Sequence, residues 1–265
     1  MEQATQEQAN QLRWRVGASC VGLVLFVLLW DLALYVSGAP LLPRPWQVGL
    51  GLLELLRRGV LFKHLIASLF RVTWGFLLAV AVALPLGFVL GWSLHAGRAL
   101  GPFVQLVRPI SPLAWIPLAI LWFGLGDASA VFIIFIASAP PLTLAAMNAV
   151  RNVPAVYVRA GQNFGLDTRR LFLRVLLPAA LPELLSGMRL TLGISWLVVV
   201  AAEMIAVNSG LGYLIVDSRN AGNRYDLVVA GMVLIGLTGL ALDRAMARVA
   251  RSLMHRQDVV GEEPG

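Results

Sequence analysis

Six long apolar runs, separated by shorter polar stretches, make up most of this chain. They fall at Val16–Val36, Thr73–Trp92, from about Pro102 through Pro117, Ala128–Val150, Leu190–Val207 and Leu227 to about Leu242. Most approach or exceed the roughly 20 residues that cross a ~30 Å hydrocarbon layer at 1.5 Å per residue, so the pattern predicts about six membrane-spanning helices. The first run follows the polar residues 1–15, with Arg13 and Arg15 at its edge. It is longer than a signal-peptide core, and Trp30-Asp31 interrupts the end where cleavage would fall, which predicts an uncleaved anchor. Residues 37–68 are expected outside the membrane. Pro40, Pro43 and Pro45 break any helix there, and Val48, Leu52, Leu55 and Leu56 then recur at helical spacing among Glu54, Arg57 and Arg58, as in an amphipathic surface helix. The second run ends in a short turn holding His95 and Arg98. The third contains Arg108-Pro109, Pro112 and Pro117, and proline in a membrane helix frees carbonyls that a neighbour or a water-filled path must take up. That run is either a packed kink or part of a transport route. Pro140-Pro141 falls in the middle of the fourth run.

Between the fourth and fifth runs lies the most polar internal stretch, Arg151 to Arg189, with six arginines against Asp167 and Glu183. It reads as two short helices. Pro154 suits the first turn of one, Gly165 the position just past its end, and Asp167 or Thr168 the cap of a second running towards Pro178. Six spans put both termini on one side. Thirteen of the twenty-one lysines and arginines then share the side of the termini and of this hairpin, against six on the other, so the hairpin is expected to be cytoplasmic.

Composition supports a membrane protein: 58% of residues are hydrophobic and 13% are charged, about half the charge of a soluble domain. The net charge of +7 is spread beside the apolar runs and makes no stripe suited to nucleic acid. The one cysteine, Cys20, cannot form an internal disulfide, and His64, His95 and His255 offer no metal-ligand spacing. Those histidines also sit at run ends, which argues against an intramembrane hydrolase. No inverted repeat of the secondary-carrier kind is visible. Lys63, the only lysine, has no glycine-rich phosphate loop before it, so the chain is not expected to bind ATP or any other cofactor itself. Glu203, inside the fifth run, costs about 2.5 to 3.5 kcal/mol to insert on scales measured for aspartate and is expected to pair with an arginine such as Arg71 or Arg108, or to serve at an outer gate.

Three stretches carry a family resemblance. Arg159-Ala160-Gly161, then Gly165, then Val175-Leu176-Leu177-Pro178 resembles the "E-A-A, three residues, G, nine residues, I-x-L-P" motif of ABC importer permeases, with the spacing kept and arginine, glycine and valine at three of its positions. Ser111 to Leu118 leading to Trp122-Phe123-Gly124-Leu125-Gly126-Asp127 is similar to the sulfonate, taurine and nitrate branch, as is Ala202-Glu203-Met204 leading to Asn208-Ser209-Gly210-Leu211-Gly212-Tyr213.

The resemblance implies an all-α, polytopic type I importer permease fold, with residues 69–246 as the core, 151–189 as a cytoplasmic coupling loop and 247–265 as a cytoplasmic tail. It implies a non-catalytic subunit of the bacterial inner membrane, working as a homodimer with two copies of a cytoplasmic ATPase that holds ATP and Mg, and with a periplasmic substrate-binding protein. Tyr157, Arg159, Ala160, Gly161, Gly165 and Pro178 would form the ATPase contact. Arg108, Ser111, Trp115, Asn148 and Glu203 are candidates for the substrate path by position. Aliphatic sulfonates are the favoured solute; taurine, nitrate, bicarbonate and thiamine precursors stay open, and a stand-alone carrier is the rival of another class.

Overall fold

The computed structural model describes residues 2–38 and 42–261, and among them every regular element is helical. Helix α1 is Glu2–Ser37, so the polar start and the first apolar run are one helix, of which Val24–Ser37 stands out as an apolar segment. Helix α2, Pro45–Arg57, is the expected amphipathic helix; it begins with proline in its first turn and buries Val48 and Leu55. Gly59, at φ +69°, turns the chain directly into α3, Val60–Trp92. The second span therefore starts thirteen residues before the first residue of the apolar run, because nothing between Val60 and Thr73 breaks a helix. Lys63, His64 and Arg71 become part of it.

The third run is not one helix. Its first part is α4, Leu94–Val107, capped by the Ser93 hydroxyl, which accepts from the Ala96 amide. After a break at Arg108 to Ser111 come a short 3-10 turn, Pro112–Trp115, and α5, Ile116–Phe123, and the two halves meet at 86°. Pro109 and Pro112, which cannot donate to the helix ladder, account for the break. Helix α6, Asp127–Arg151, matches the fourth run, with Pro140-Pro141 accommodated inside it. Then come α7, Ala155–Asn163, and α8, Thr168–Leu171.

The fifth span also differs from expectation. From α8 the chain passes through a π-turn, Phe172–Leu176, straight into α9, Leu177–Ala206, giving one helical stretch from Thr168 to Ala206. Pro178 thus ends no helix. It stands in the first turn of α9, where the wider π-turn before it accommodates a residue without an N–H. Helix α10, Leu211–Asn220, occupies the expected loop, and α11, Tyr225–Gly261, completes the chain. Among the described residues, four helices are long and apolar enough to cross a membrane, and the bent pair α4/α5 makes a fifth span if counted as one.

The bundle is built on α3, α6 and α9. Along α3, Gly75, Ala79, Ala83, Gly87 and Gly91 recur every four residues, which brings α6 against the α3 backbone. A Cβ on Gly87 would stand 2.5 Å from the Ala146 Cβ and 2.6 Å from the Thr143 carbonyl. Between α6 and α9, the Ser138 and Ser195 hydroxyls meet at 2.7 Å. Helix α11 packs on α9, where the Trp196 indole donates to the Ile235 carbonyl and Arg189 holds both oxygens of Asp243 at 2.6 Å. Arg224, just before α11, binds Glu54 at 2.7 Å and Asp226 at 2.8 Å, tying α2 to the bundle.

Two outcomes are expected. Gly87→Val should lower stability by about 1–3 kcal/mol or more through overpacking, read as thermal unfolding in detergent, while Gly236→Ala, whose Cβ meets nothing within 4 Å, should be tolerated. Hydrogen bonds from Arg224 chiefly hold the Glu54 carboxyl below its ordinary value of 4.5. The anchoring of α2 is then complete above that value and is lost as pH falls through the lowered one. Hydrogen exchange of α2 amides should accelerate below about pH 4.5 relative to α6, and Glu54→Gln should remove the difference.

Candidate functional site

At one end of the bundle, Arg71 of α3 joins four elements. It is 2% exposed, and its Nη1 donates to Glu203 Oε1 of α9 at 2.8 Å and to the Ser209 carbonyl at 2.7 Å. Its Nε donates to Asp127 Oδ1, at the start of α6, at 2.7 Å. Glu203 is fully buried and its second oxygen accepts from Ser68 at 2.8 Å and from the Gly212 amide at 2.9 Å. Ser68 accepts from the Leu211 amide and His64 Nδ1 from the Gly210 amide, each at 2.9 Å. The free N–H groups at the start of α10 are thus met by side chains of α3 and α9, as a buried helix end requires. The carboxylate at that end also complements the helix dipole.

This geometry explains two of the stretches that carried the resemblance. Gly210 sits at φ +107°, and a Cβ there or at Gly212 would collide with Glu203 or with the Val200 carbonyl, so both glycines allow α10 to dock. Gly126 donates to the Ala206 carbonyl at 3.0 Å, which holds Asp127 beside Arg71. The expected partner of Glu203 is therefore Arg71 and not Arg108. Sequence reading did not assemble Ser68, Asp127, Ser209 and His64 with them. The available signal was the spacing His64, Ser68, Arg71, one face of a helix, and it shows only once α3 is known to begin at Val60.

The opposite end carries the hairpin of α7 and α8. Gly165 is at φ +74°, its amide donates to Gln162 O at 2.9 Å and that of Leu166 to Gly161 O at 3.1 Å, the pairing that closes a helix on glycine. Of the two candidate caps, Asp167 caps α8 by accepting from the Arg170 amide at 3.1 Å. Asn152 donates to Glu183 at 2.8 Å across the hairpin base. Tyr157, Arg159, Ala160 and Gly165 are exposed, together with Val156 and Phe164. Gly161 faces inward, where a Cβ would stand 2.6 Å from Leu171, so its small size serves packing inside the hairpin. Pro178 is half-buried at the start of α9. Phe172 of the π-turn packs edge-on against Phe88 and Trp92 of α3, linking hairpin and span.

The remaining predicted residues separate. Arg108 and Asn148 line one cavity of about 490 Å³ between α4 and α6, with Gln105, Pro109, Leu144 and Met147. Ser111 is exposed in the chain break and Trp115 is half-buried at the end of the 3-10 turn, neither of them on that cavity. Glu203 lies with Asp127, whereas Asn148 is near the other end of α6, about 30 Å away at 1.5 Å per residue.

An all-helical protein with four or five apolar helices of membrane-crossing length is the class these features define, and comparison with known proteins places it. The chain belongs to the family described as the binding-protein-dependent transport system inner membrane component, which matches residues 79–255. It is 41% identical over 228 residues to a putative ABC transporter permease protein of Methanocaldococcus jannaschii, covering 84% of this chain and 85% of that one. It is 35% identical to the taurine transport system permease protein of Escherichia coli (92% and 94% covered) and 31% identical to the nitrate import permease protein of Synechococcus elongatus (87% of each). A solved chain of an inward-facing methionine ABC transporter shares the fold, with a TM-score of 0.66, 20% identity and coverage of 73% of this chain and 95% of that one.

Arg71→Met should cost about 3–5 kcal/mol by stranding the buried Glu203 carboxylate, measured as thermal unfolding in detergent. Asp127→Asn should cost far less, because Asp127 is 58% exposed and its ion pair is screened by water.

Proposed function

We propose that the chain is the translocation subunit of an ATP-driven importer of small oxyanions, with aliphatic sulfonates first among them. The observation that carries the reading is the family membership together with a rigid, glycine-closed hairpin whose exposed face offers Tyr157, Ala160 and Phe164 beside Arg159. That face fits a groove on a cytoplasmic ATPase, where ATP and Mg would be held. The helical stretch that ends in α9 supports the role mechanically: it runs from Thr168, at the hairpin, to Ala206, at the Arg71 cluster, so a push on the hairpin reaches the far end along it. The Arg-rich hairpin and the tail of α11 are assigned to the cytoplasm and the Arg71 end to the outside, where a periplasmic binding protein would dock. One chain has one hairpin, so pairing with two ATPase subunits calls for two copies of this chain. The taurine relative supports sulfonates, and the nitrate relative makes nitrate the second reading.

The test is co-purification from native membranes and uptake in proteoliposomes. A P-loop ATPase should accompany the wild-type chain, and its hydrolysis should rise with a loaded periplasmic protein. Gly165→Val forces a β-branched residue to φ +74° and should abolish taurine uptake while the protein stays in the membrane. Wild-type uptake by that variant would refute the coupling role; uptake of nitrate but not taurine would select the second reading.

A further inference from the structure

The cavity between α4 and α6 has a composition that the fold alone does not require. It lies at the hairpin end of the bundle, because Asn148 stands three residues before the end of α6. Arg108 follows the last residue of α4, where the helix breaks, and Gln105 is one turn earlier on the same face. Leu144, Met147 and Asn148 share one face of α6 opposite them.

Its three polar side chains bring nine N–H donors: five from the Arg108 guanidinium and two from each amide of Gln105 and Asn148. Among the described residues none of these side chains hydrogen-bonds to the protein, and Arg108 is in no ion pair. No carboxylate lines the cavity. Arg71 is paired with Glu203 and Asp127, Arg189 with Asp243, Arg224 with Glu54 and Asp226, and Arg151 with the Leu90 carbonyl, whereas exposed arginines such as Arg44 and Arg219 have no side-chain partner among the described residues; Arg108, also exposed, differs from these two in sharing a cavity with two amides. A donor-rich, carboxylate-free cavity with a free planar fork fits a group that presents several acceptor oxygens and negative charge.

We propose that Gln105, Arg108 and Asn148 form an oxyanion site at the inner mouth of the translocation path. The guanidinium takes two oxygens of an R–SO3⁻ group in a bidentate contact, the amides take the third, and Pro109, Leu144 and Met147 cover a short alkyl chain. At about 490 Å³ the cavity is within the usual size of small-molecule sites. The apolar wall gives an alkylsulfonate an area to bury that nitrate lacks, and the absence of a carboxylate disfavours cations. Glu203, Ser111 and Trp115 then make no direct contact with the solute, and Gln105 does. Its assignment to a transported solute rests on the importer reading; the oxyanion chemistry does not, and a lipid phosphate would satisfy the same donors.

The test uses the full-length chain in detergent, wild type against Arg108→Gln, Arg108→Lys and Asn148→Leu, with thermal melting followed during titration by ethanesulfonate against sodium chloride of equal ionic strength. Ethanesulfonate should raise the wild-type Tm saturably. Arg108→Gln should weaken the apparent affinity at least tenfold, with Arg108→Lys between. Ligand-free melting of the arginine variants should match wild type, because the guanidinium holds no protein group in place. A parallel arm compares nanodiscs of phosphatidylcholine with and without phosphatidylglycerol. An Arg108-dependent shift with phosphatidylglycerol alone supports the oxyanion site and overturns its assignment to a solute. No shift in either arm, or equal shifts in wild type and Arg108→Gln, overturns the site. Taurine uptake by the reconstituted importer separates the two readings. Binding without uptake refutes the importer reading and leaves the site standing, whereas wild-type KM for uptake in Arg108→Gln removes the site from the path.

Discussion

The fully buried pair of Arg71 and Glu203 is the constraint on which the rest of this structure depends. Two charges removed from water are tolerated only when each is hydrogen-bonded on every side, and here the needed partners come from α3, α6, α9 and the segment that opens α10. The pair therefore fixes where α10 docks, how α6 begins and where α9 ends. Gly210 and Gly212 are consequences of the same constraint, since each stands where backbone must approach Glu203 closely, while Gly126, at φ +150°, turns the chain into α6 beside the cluster.

From the cluster the α3 face continues without interruption. His64, Ser68 and Arg71 are followed at the same spacing by Gly75, Ala79, Ala83, Gly87 and Gly91, so one stripe is polar at one end and small along the rest. In a bilayer no hydrophobic gain drives helix against helix, and close backbone contact and hydrogen bonds do that work. The stripe supplies both in sequence. It leaves α3 and α6 as a fixed unit, against which α9 passes as one helical stretch from hairpin to cluster.

The two ends of the bundle are chemically opposite. Around Arg71, among the described residues, every buried side-chain polar atom is matched inside the chain. At the hairpin end, Tyr157 and Phe164 are exposed and Arg108, Gln105 and Asn148 keep their donors free. Satisfied groups stabilise, and unsatisfied ones are available to something else. That asymmetry is why the buried cluster is read as a structural clamp and the free donors of the cavity as the place to look for a solute contact.

Much was legible in the sequence because its causes are local. Apolar runs marked most of the long helices, Gly165 marked the end of α7, Asp167 was one of two residues offered as the cap of α8, and proline spacing marked the third run as irregular. The family was readable from motifs whose spacing survives substitution. Boundaries were not legible where no breaker stands, as at Val60, nor where a π-turn carries a helix past Pro178, because packing decides those cases. The grouping of site residues was also invisible. Glu203 and Arg108 looked alike on paper, each a lone charge in an apolar run, and which arginine meets Glu203 depends on α3, α9 and α10 converging at one end of α6. The sequence by itself determined the all-helical class and the family, while its six expected spans became, among the described residues, four long apolar helices and one bent pair. Only tertiary structure decided that one charge is locked in a buried pair and the other left open on a cavity, because burial and pairing belong to helices brought together and not to any one of them.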